Sequence, residues 1–195
     1  MKGKYLKGKT IEYDGSQLSP LWAYENLDLL GDSIVAFRGP CNLSEEYIVD
    51  IERAKKKSII SSPDMIHFIV EYFGCGIKEI VLIQRLLVNV VIEALRDSEM
   101  HEDADLEREF DNISAYLADE EEKRKLSVSV ATVSPVSGLI HFGLNVTGSD
   151  APVRAAGLSE LGVENIDEFA VDVLRRFIEE MQNARMDSSK VRPVL

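Results

Sequence analysis

Large and small residues alternate along Leu126-Ser127-Val128-Ser129-Val130-Ala131-Thr132-Val133 with the two-residue period of a β-strand. After the turn Ser134-Pro135-Val136-Ser137-Gly138 the alternation resumes over residues 139–146. Ile140, Phe142, Leu144 and Val146 fall on one face, His141, Gly143 and Asn145 on the other. Two such runs joined by a turn rich in Pro and Gly predict an antiparallel hairpin. The apolar run Ile34-Val35-Ala36-Phe37 predicts a buried strand broken by Arg38-Gly39-Pro40, and residues 10–13 predict a short strand ending in Asp14-Gly15-Ser16-Gln17.

Elsewhere the period is helical. Ser19 and Pro20 lead into a helix over residues 21–30, stopped by Gly31. Ser44 caps a second helix, whose leading Glu45 and Glu46 and trailing Lys55-Lys56-Lys57 match the helix macrodipole. Ser62-Pro63-Asp64 opens a third, carrying Met65, Ile66, Phe68, Ile69 and Phe73 and closing near Gly74. Over residues 77–95 the polar positions Lys78, Arg85, Asn89 and Glu93 recur at helical spacing on an otherwise apolar cylinder, which predicts a helix buried on most sides. Its charges, Glu79 among them, argue against a bilayer span. Asn165 caps a last helix with the stripe Ile166, Phe169, Val173, Leu174, Phe177, Ile178 and Met181. Helices packed on one side of a mainly antiparallel sheet make an α+β domain over residues 1–186, with a flexible polar tail at 187–195.

The charge is unevenly spread. The chain of 195 residues carries a net −12, and residues 97–122, an acidic surface segment with Arg108 as its one Lys or Arg, account for −11 of it. Leu106, Phe110, Ile113 and Leu117 suit a helix there while the charge density suits a solvated excursion, so its structure stays open. So acidic a balance argues against duplex DNA, and the absence of an apolar leader and of a cysteine framework predicts a cytoplasmic protein with no membrane segment.

Candidate chemistry is sparse. Lys125 stands where the hairpin strand begins, a fixed position from which an ammonium can hold a carboxylate or phosphate; the alternative is that Lys123-Arg124-Lys125 merely neutralises Glu120-Glu121-Glu122. His141 and Asn145 flank Gly143, where a ligand could approach the backbone closely, or they simply lie on a solvated sheet face. Arg38, at the end of a buried strand, is a candidate anion donor that could share one anion with Lys125. Neither Cys41 nor Cys75 has a motif that supplies a base. No Gly-rich phosphate loop and no metal-ligand motif is present.

Three segments carry a resemblance: residues 13–22, Phe37-Arg38-Gly39-Pro40-Cys41-Asn42 and Lys125-Leu126-Ser127-Val128-Ser129-Val130-Ala131-Thr132. Through them, and over nearly its full length, the chain resembles an archaeal family, domain of unknown function 366. More distantly it is similar to the catalytic domain of biotin protein ligases, lipoate protein ligases and octanoyl (lipoyl) transferases, which share a lysine at the start of a strand followed by small residues, then a hairpin partner like His141-Phe142-Gly143-Leu144-Asn145-Val146. That resemblance implies that Lys125 contacts the acyl carboxylate or adenylate phosphate, that Ser127, His141 and Asn145 line or support the pocket, and that Arg38 lies near a nucleotide, ATP or an acyl-adenylate. Two departures stand out. The ligases' glycine-rich loop falls at residues 57–63, which contain no glycine, and the transferases' cysteine falls at Ala156, which cannot form a thioester.

The leading expectation is a protein that binds a small carboxylate or its activated derivative, ligase-like or acyltransferase-like without the transferase cysteine. The alternative is a non-catalytic ligand- or protein-binding module on the same scaffold, with the acidic segment meeting a basic protein partner. Nucleic-acid binding through Lys55-Lys56-Lys57 and residues 123–125 ranks last, because no aromatic stacking platform accompanies them.

Overall fold

Strand β1, Lys2–Thr10, is exposed on most of its length and pairs in parallel with β2, Ser33–Leu43, as the edge of a five-stranded sheet. In a computed structural model that describes residues 1–56, 60–98, 100–117, 122–148 and 154–194, the sheet continues through β3, Ile60–Phe73, and the hairpin strands β7, Ser127–Val133, and β8, Ser137–Asn145. Its order is β1-β2-β3-β8-β7, every pair after the first antiparallel. A smaller sheet, β4-β5-β6, joins Asp105–Glu109, Asn112–Tyr116 and Arg124–Lys125.

Helices α3, Ile77–Arg96, and α4, Ile166–Lys190, cover one face of the large sheet, burying Ile34, Ala36, Ile66, Phe68, Ile140 and Phe142 in the main core. The expected α+β class and hairpin are borne out, as is the Asn165 cap, whose side chain accepts from the Glu168 N–H. The last helix runs to Lys190, into the stretch expected as a tail.

The third expected helix is instead β3. This strand is buried on both faces, Ile66, Phe68 and Val70 against the helices and Met65 and Ile69 on the other side, so its apolar run has no two-residue period and imitates a buried helix. Each buried side chain contributes about 1.5–3 kcal/mol, more than local propensity can oppose. Pro63 and Asp64 fall where the β2–β3 register shifts between Gly39 and Cys41, a bulge that spares Pro63 a ladder hydrogen bond. The expected break at Arg38-Gly39-Pro40 is that same bulge inside a continuous β2.

Helix α1 is Trp22–Leu27, shorter than expected. Ser19 makes no cap; Leu21 takes a left-handed conformation and gives its N–H to the buried carboxylate of Glu71. The second expected helix divides into a single turn at Glu45–Tyr47 and α2, Ile51–Lys56, begun by Asp50, which accepts the Arg53 N–H, rather than by Ser44. The acidic segment, where described, is the hairpin β4–β5, with Phe110 at its exposed tip and Leu106, Ile113 and Ala115 reaching the main core. Among the described residues no helix is long and apolar enough to cross a membrane.

Candidate ligand site

Strand alternation sends Phe37, Met65, His67, Ile69, His141, Gly143, Val128 and Val130 to the sheet face opposite α3. That face is not solvated. His141 is 4% exposed and His67 fully buried, because residues 11–13 run beside β2 and lay Tyr13 across the sheet: the Tyr13 N–H donates to the Pro40 carbonyl and the Asn42 N–H to the Tyr13 carbonyl. The expectation of a solvated His and Asn is therefore corrected by burial on both faces. Gly143 does leave room, and protein fills it: a Cβ there would lie 2.9 Å from the Met65 methyl and 3.4 Å from the His141 ring.

Without a side chain at Gly143, the two histidines meet diagonally, His67 Nδ1 to His141 Nε2 at 3.1 Å. His67 Nε2 lies 3.1 Å from the Gly39 carbonyl, which can only accept, so that nitrogen carries the hydrogen. Burial pushes the His67 imidazole down to about 4 and, with His67 beside it, holds His141 well below the usual histidine range. Both rings are neutral at pH 7. His67 Nδ1 then accepts from His141 Nε2–H, which leaves His141 Nδ1 as a bare lone pair.

His141 and Tyr13 line a small cavity of about 30 Å³ between β7–β8 and the cover formed by residues 47–50 and Arg53. Val128 and Val130 supply apolar wall. Lys125 is not among the residues that line this cavity. Burial first, and then the Arg53 guanidinium, lower its pKa, with Asp111 and Glu109 acting weakly the other way. Arg53, a wall of the cavity, thus lies within electrostatic reach of Lys125, and among the described residues no salt bridge engages either cation. Within the basic triplet Lys123 is neutralised by Glu107 and Glu109 of β4, while Glu122 pairs with Arg154. Glu120 and Glu121 lie outside the described residues.

Asn145 supports Lys125 from behind: its Nδ2 donates to the Lys125 carbonyl at 3.3 Å and its Oδ1 accepts from Ser62 Oγ at 3.1 Å. The two other expected ligand residues are engaged elsewhere. Ser127 Oγ accepts the Ile113 N–H at 2.7 Å, tying the small sheet to the large one. Arg38, two residues beyond Ala36, emerges on the α4 side, where its Nε and Nη2 clasp the Asp64 carboxylate at 2.5–3.1 Å. Its other neighbours are the neutral Tyr5 phenol and the Asp167 carboxylate, neither of which Lys125 shares, so the expected joint clamp does not form.

Cys41 is buried with its thiol pushed up to about 11, and burial raises Cys75 too. Ala156, at the position of the transferases' cysteine, is fully buried in the main core. Among the described residues no cluster of His, Cys, Asp or Glu could hold a metal ion.

A mainly antiparallel five-stranded sheet with helices on one face and a cavity on the other is the fold of the biotin and lipoate protein ligase catalytic domain. The chain matches a bipartite lipoate protein ligase from Thermoplasma acidophilum with a TM-score of 0.54 at 16% identity, over 93% of this chain and 84% of that one. It matches a biotin protein ligase variant from Aquifex aeolicus in complex with biotin with a TM-score of 0.56 at 15% identity, over 93% and 70%. Likeness at such identities is likeness of fold. By sequence the chain belongs to the family described as domain of unknown function (DUF366), which matches residues 1–192. A protein of unknown function from Pyrococcus horikoshi is 39% identical with a TM-score of 0.88, each chain covered in full. An uncharacterised protein of Methanocaldococcus jannaschii is 33% identical over 191 residues, 95% of this chain and 82% of that one.

Proposed function

We propose that this protein binds a small carboxylate, or the phosphate-activated form of one, with its head group at Lys125 and Arg53 and its chain directed along the sheet toward Tyr13 and His141. The observation that carries the reading is a largely buried ammonium, Lys125, which makes no salt bridge among the described residues and feels the Arg53 guanidinium of the cavity wall more strongly than the carboxylates of Asp111 and Glu109. Like charges brought together in a partly desolvated place repel each other, and an anion between them removes that cost. The ligase fold supports the same placement, with the ligand along the sheet.

Lys125, held through its carbonyl by Asn145, would keep a carboxylate or phosphoryl oxygen in place and draw charge onto it. The nucleotide half fits less well: residues 60–63 of β3, within the segment that corresponds to the ligases' cradle, contain no glycine, and the Ser62 hydroxyl is already bonded to Asn145. As an enzyme the protein would be ligase-like or acyltransferase-like without a cysteine nucleophile. A non-catalytic binding module on the same scaffold is the second reading, favoured by the burial of Ala156 and the sealed thiol of Cys41.

Calorimetry with octanoate, lipoate and biotin, each with and without ATP–Mg²⁺, tests the reading, alongside an assay of acid-dependent pyrophosphate exchange. Acid binding that Lys125→Ala weakens supports it; no acid binding, or binding indifferent to Lys125→Ala, overturns it. Acid-dependent exchange separates the enzyme from the module.

A further inference from the structure

Beyond Met181, helix α4 leaves the core. Residues 182–190 are all exposed, Met186 at 68%, and the non-helical residues that follow carry Val191 at 70% and Val194 at 99%. The packing that ordinarily holds a helix end is missing there. On the helical side of the sheet, away from the candidate ligand site, a groove of about 580 Å³ opens between this end of α4 and the first turns of α3. Tyr72, Leu82, Leu86 and Met181 give it an apolar lining, and Leu82 is 69% exposed. A second hollow of about 340 Å³ shares Asp32, Tyr72, Met181 and Arg185 with it.

The groove and the end of the chain that passes it are complementary in charge. Asp32 and Glu79 line the groove with Arg185, all three within electrostatic reach of the Tyr72 hydroxyl, while Lys190 and Arg192 follow one and two turns later. Lys190 pairs with Asp187, but among the described residues neither Glu79 nor Arg192 has an ion-pair partner. The chain leads away from the groove of its own molecule. Val191 is extended at φ −91° and ψ 142°, Pro193 favours an extended Arg192 as well, and residues 191–194 contain no Gly, Asn or Asp with which to turn back.

We infer that two copies of this chain form a two-fold dimer, the α4 end and residues 191–194 of each lying in the groove of the other. Met186, Val191 and Val194 of one copy then cover Tyr72, Leu82 and Leu86 of its partner, and Arg192 meets the partner's Asp32 and Glu79. A two-fold axis makes every such contact twice, so a groove too small to hold a stable interface alone contributes two of them. Burial of the apolar side chains supplies the affinity, and the charge pair fixes the direction in which the segment lies. The sheet face that carries Lys125 stays open in both copies.

Sedimentation equilibrium on the full chain tests this, and the parent protein should show twice the mass of one chain. Leu82→Glu and Arg192→Glu, both at exposed positions, should each raise the dissociation constant at least roughly tenfold, with circular dichroism confirming that the variants are folded. Arg192→Glu combined with Glu79→Arg should associate more tightly than Arg192→Glu alone, because the exchanged charges meet again across the axis. A monomeric parent overturns the inference; if its urea midpoint then falls on Arg192→Glu, residues 191–194 fold onto their own molecule instead. A dimer indifferent to both single variants, or one that the charge exchange does not recover, overturns it too. Carboxylate binding is read separately, and its loss on Lys125→Ala bears on the proposed function alone.

Discussion

The ring of Tyr13 lies flat on that of His141, centroids 3.6 Å apart and planes 9° from parallel, so that a residue from the segment after β1 caps one from the middle of β8. Two consequences follow from this stack. It seals the His67–His141 hydrogen bond from water, and it forms the floor on which the cavity stands.

The buried histidines make stability depend on pH. His67 titrates near 4 in the folded protein and near 6.5 when unfolded, so between those values the unfolded chain binds more protons. Stability is complete above about pH 6.5 and falls as pH drops toward 4. The loss from His67 alone is about 3 kcal/mol, and His141 adds in the same direction. Urea midpoints at pH 7.5 and 5.0 should differ, and His67→Gln should shrink the difference. A midpoint independent of pH over that window would show that the pair is not buried as a neutral unit.

Lys125→Ala and Arg53→Ala should each weaken carboxylate binding by roughly tenfold or more, the loss of a charge-assisted contact of about 1.5–3 kcal/mol. Because burial and Arg53 lower the Lys125 pKa, binding should also weaken with rising pH before the ordinary lysine range is reached. Calorimetric titrations from pH 7 to 10 on the parent and on Lys125→Arg check this: the arginine variant should lose the alkaline decline.

Arg38→Ala serves as the contrast. The Arg38–Asp64 pair is partly exposed, with side-chain exposures of 44% and 25%, so its removal should cost only about 1 kcal/mol in chemical denaturation. Since Arg38 shares no charged neighbour with Lys125, carboxylate affinity should stay within roughly twofold of the parent. A tenfold loss on Arg38→Ala would restore the joint clamp that the resemblance implied.

Neither cysteine should act as a nucleophile. With its thiol raised to about 11 and its side chain buried, Cys41 should resist iodoacetamide at pH 7.5 until denaturant is added, and Cys75, also raised but half-buried, should react slowly. Intact-mass measurement after incubation with acyl donors should find no hydroxylamine-sensitive adduct. An adduct on Cys41 would point to a relocated transferase mechanism.

Local periodicity alone determined the β7–β8 hairpin, the buried strand at Ile34-Val35-Ala36-Phe37, the apolar cylinder of α3 and the capped stripe of α4, because the spacing of apolar residues within one element is a property of neighbours in sequence. Lys125 and Asn145 were legible as candidates in the same way, although Lys125 closes the short strand β6 of the small sheet rather than opening β7. Double-sided burial hid β3, and with it His67, since a strand packed on both faces keeps no alternation to read. What only the tertiary structure decided is proximity across elements. The diagonal meeting of His67 with His141 depends on the β3–β8 register, the approach of Arg53 to Lys125 on where residues 47–53 fold over the sheet, and the departure of Arg38 to the α4 side on the face that its strand parity meets. Register and crossover are set by the packing of the whole core, which no single segment's pattern encodes.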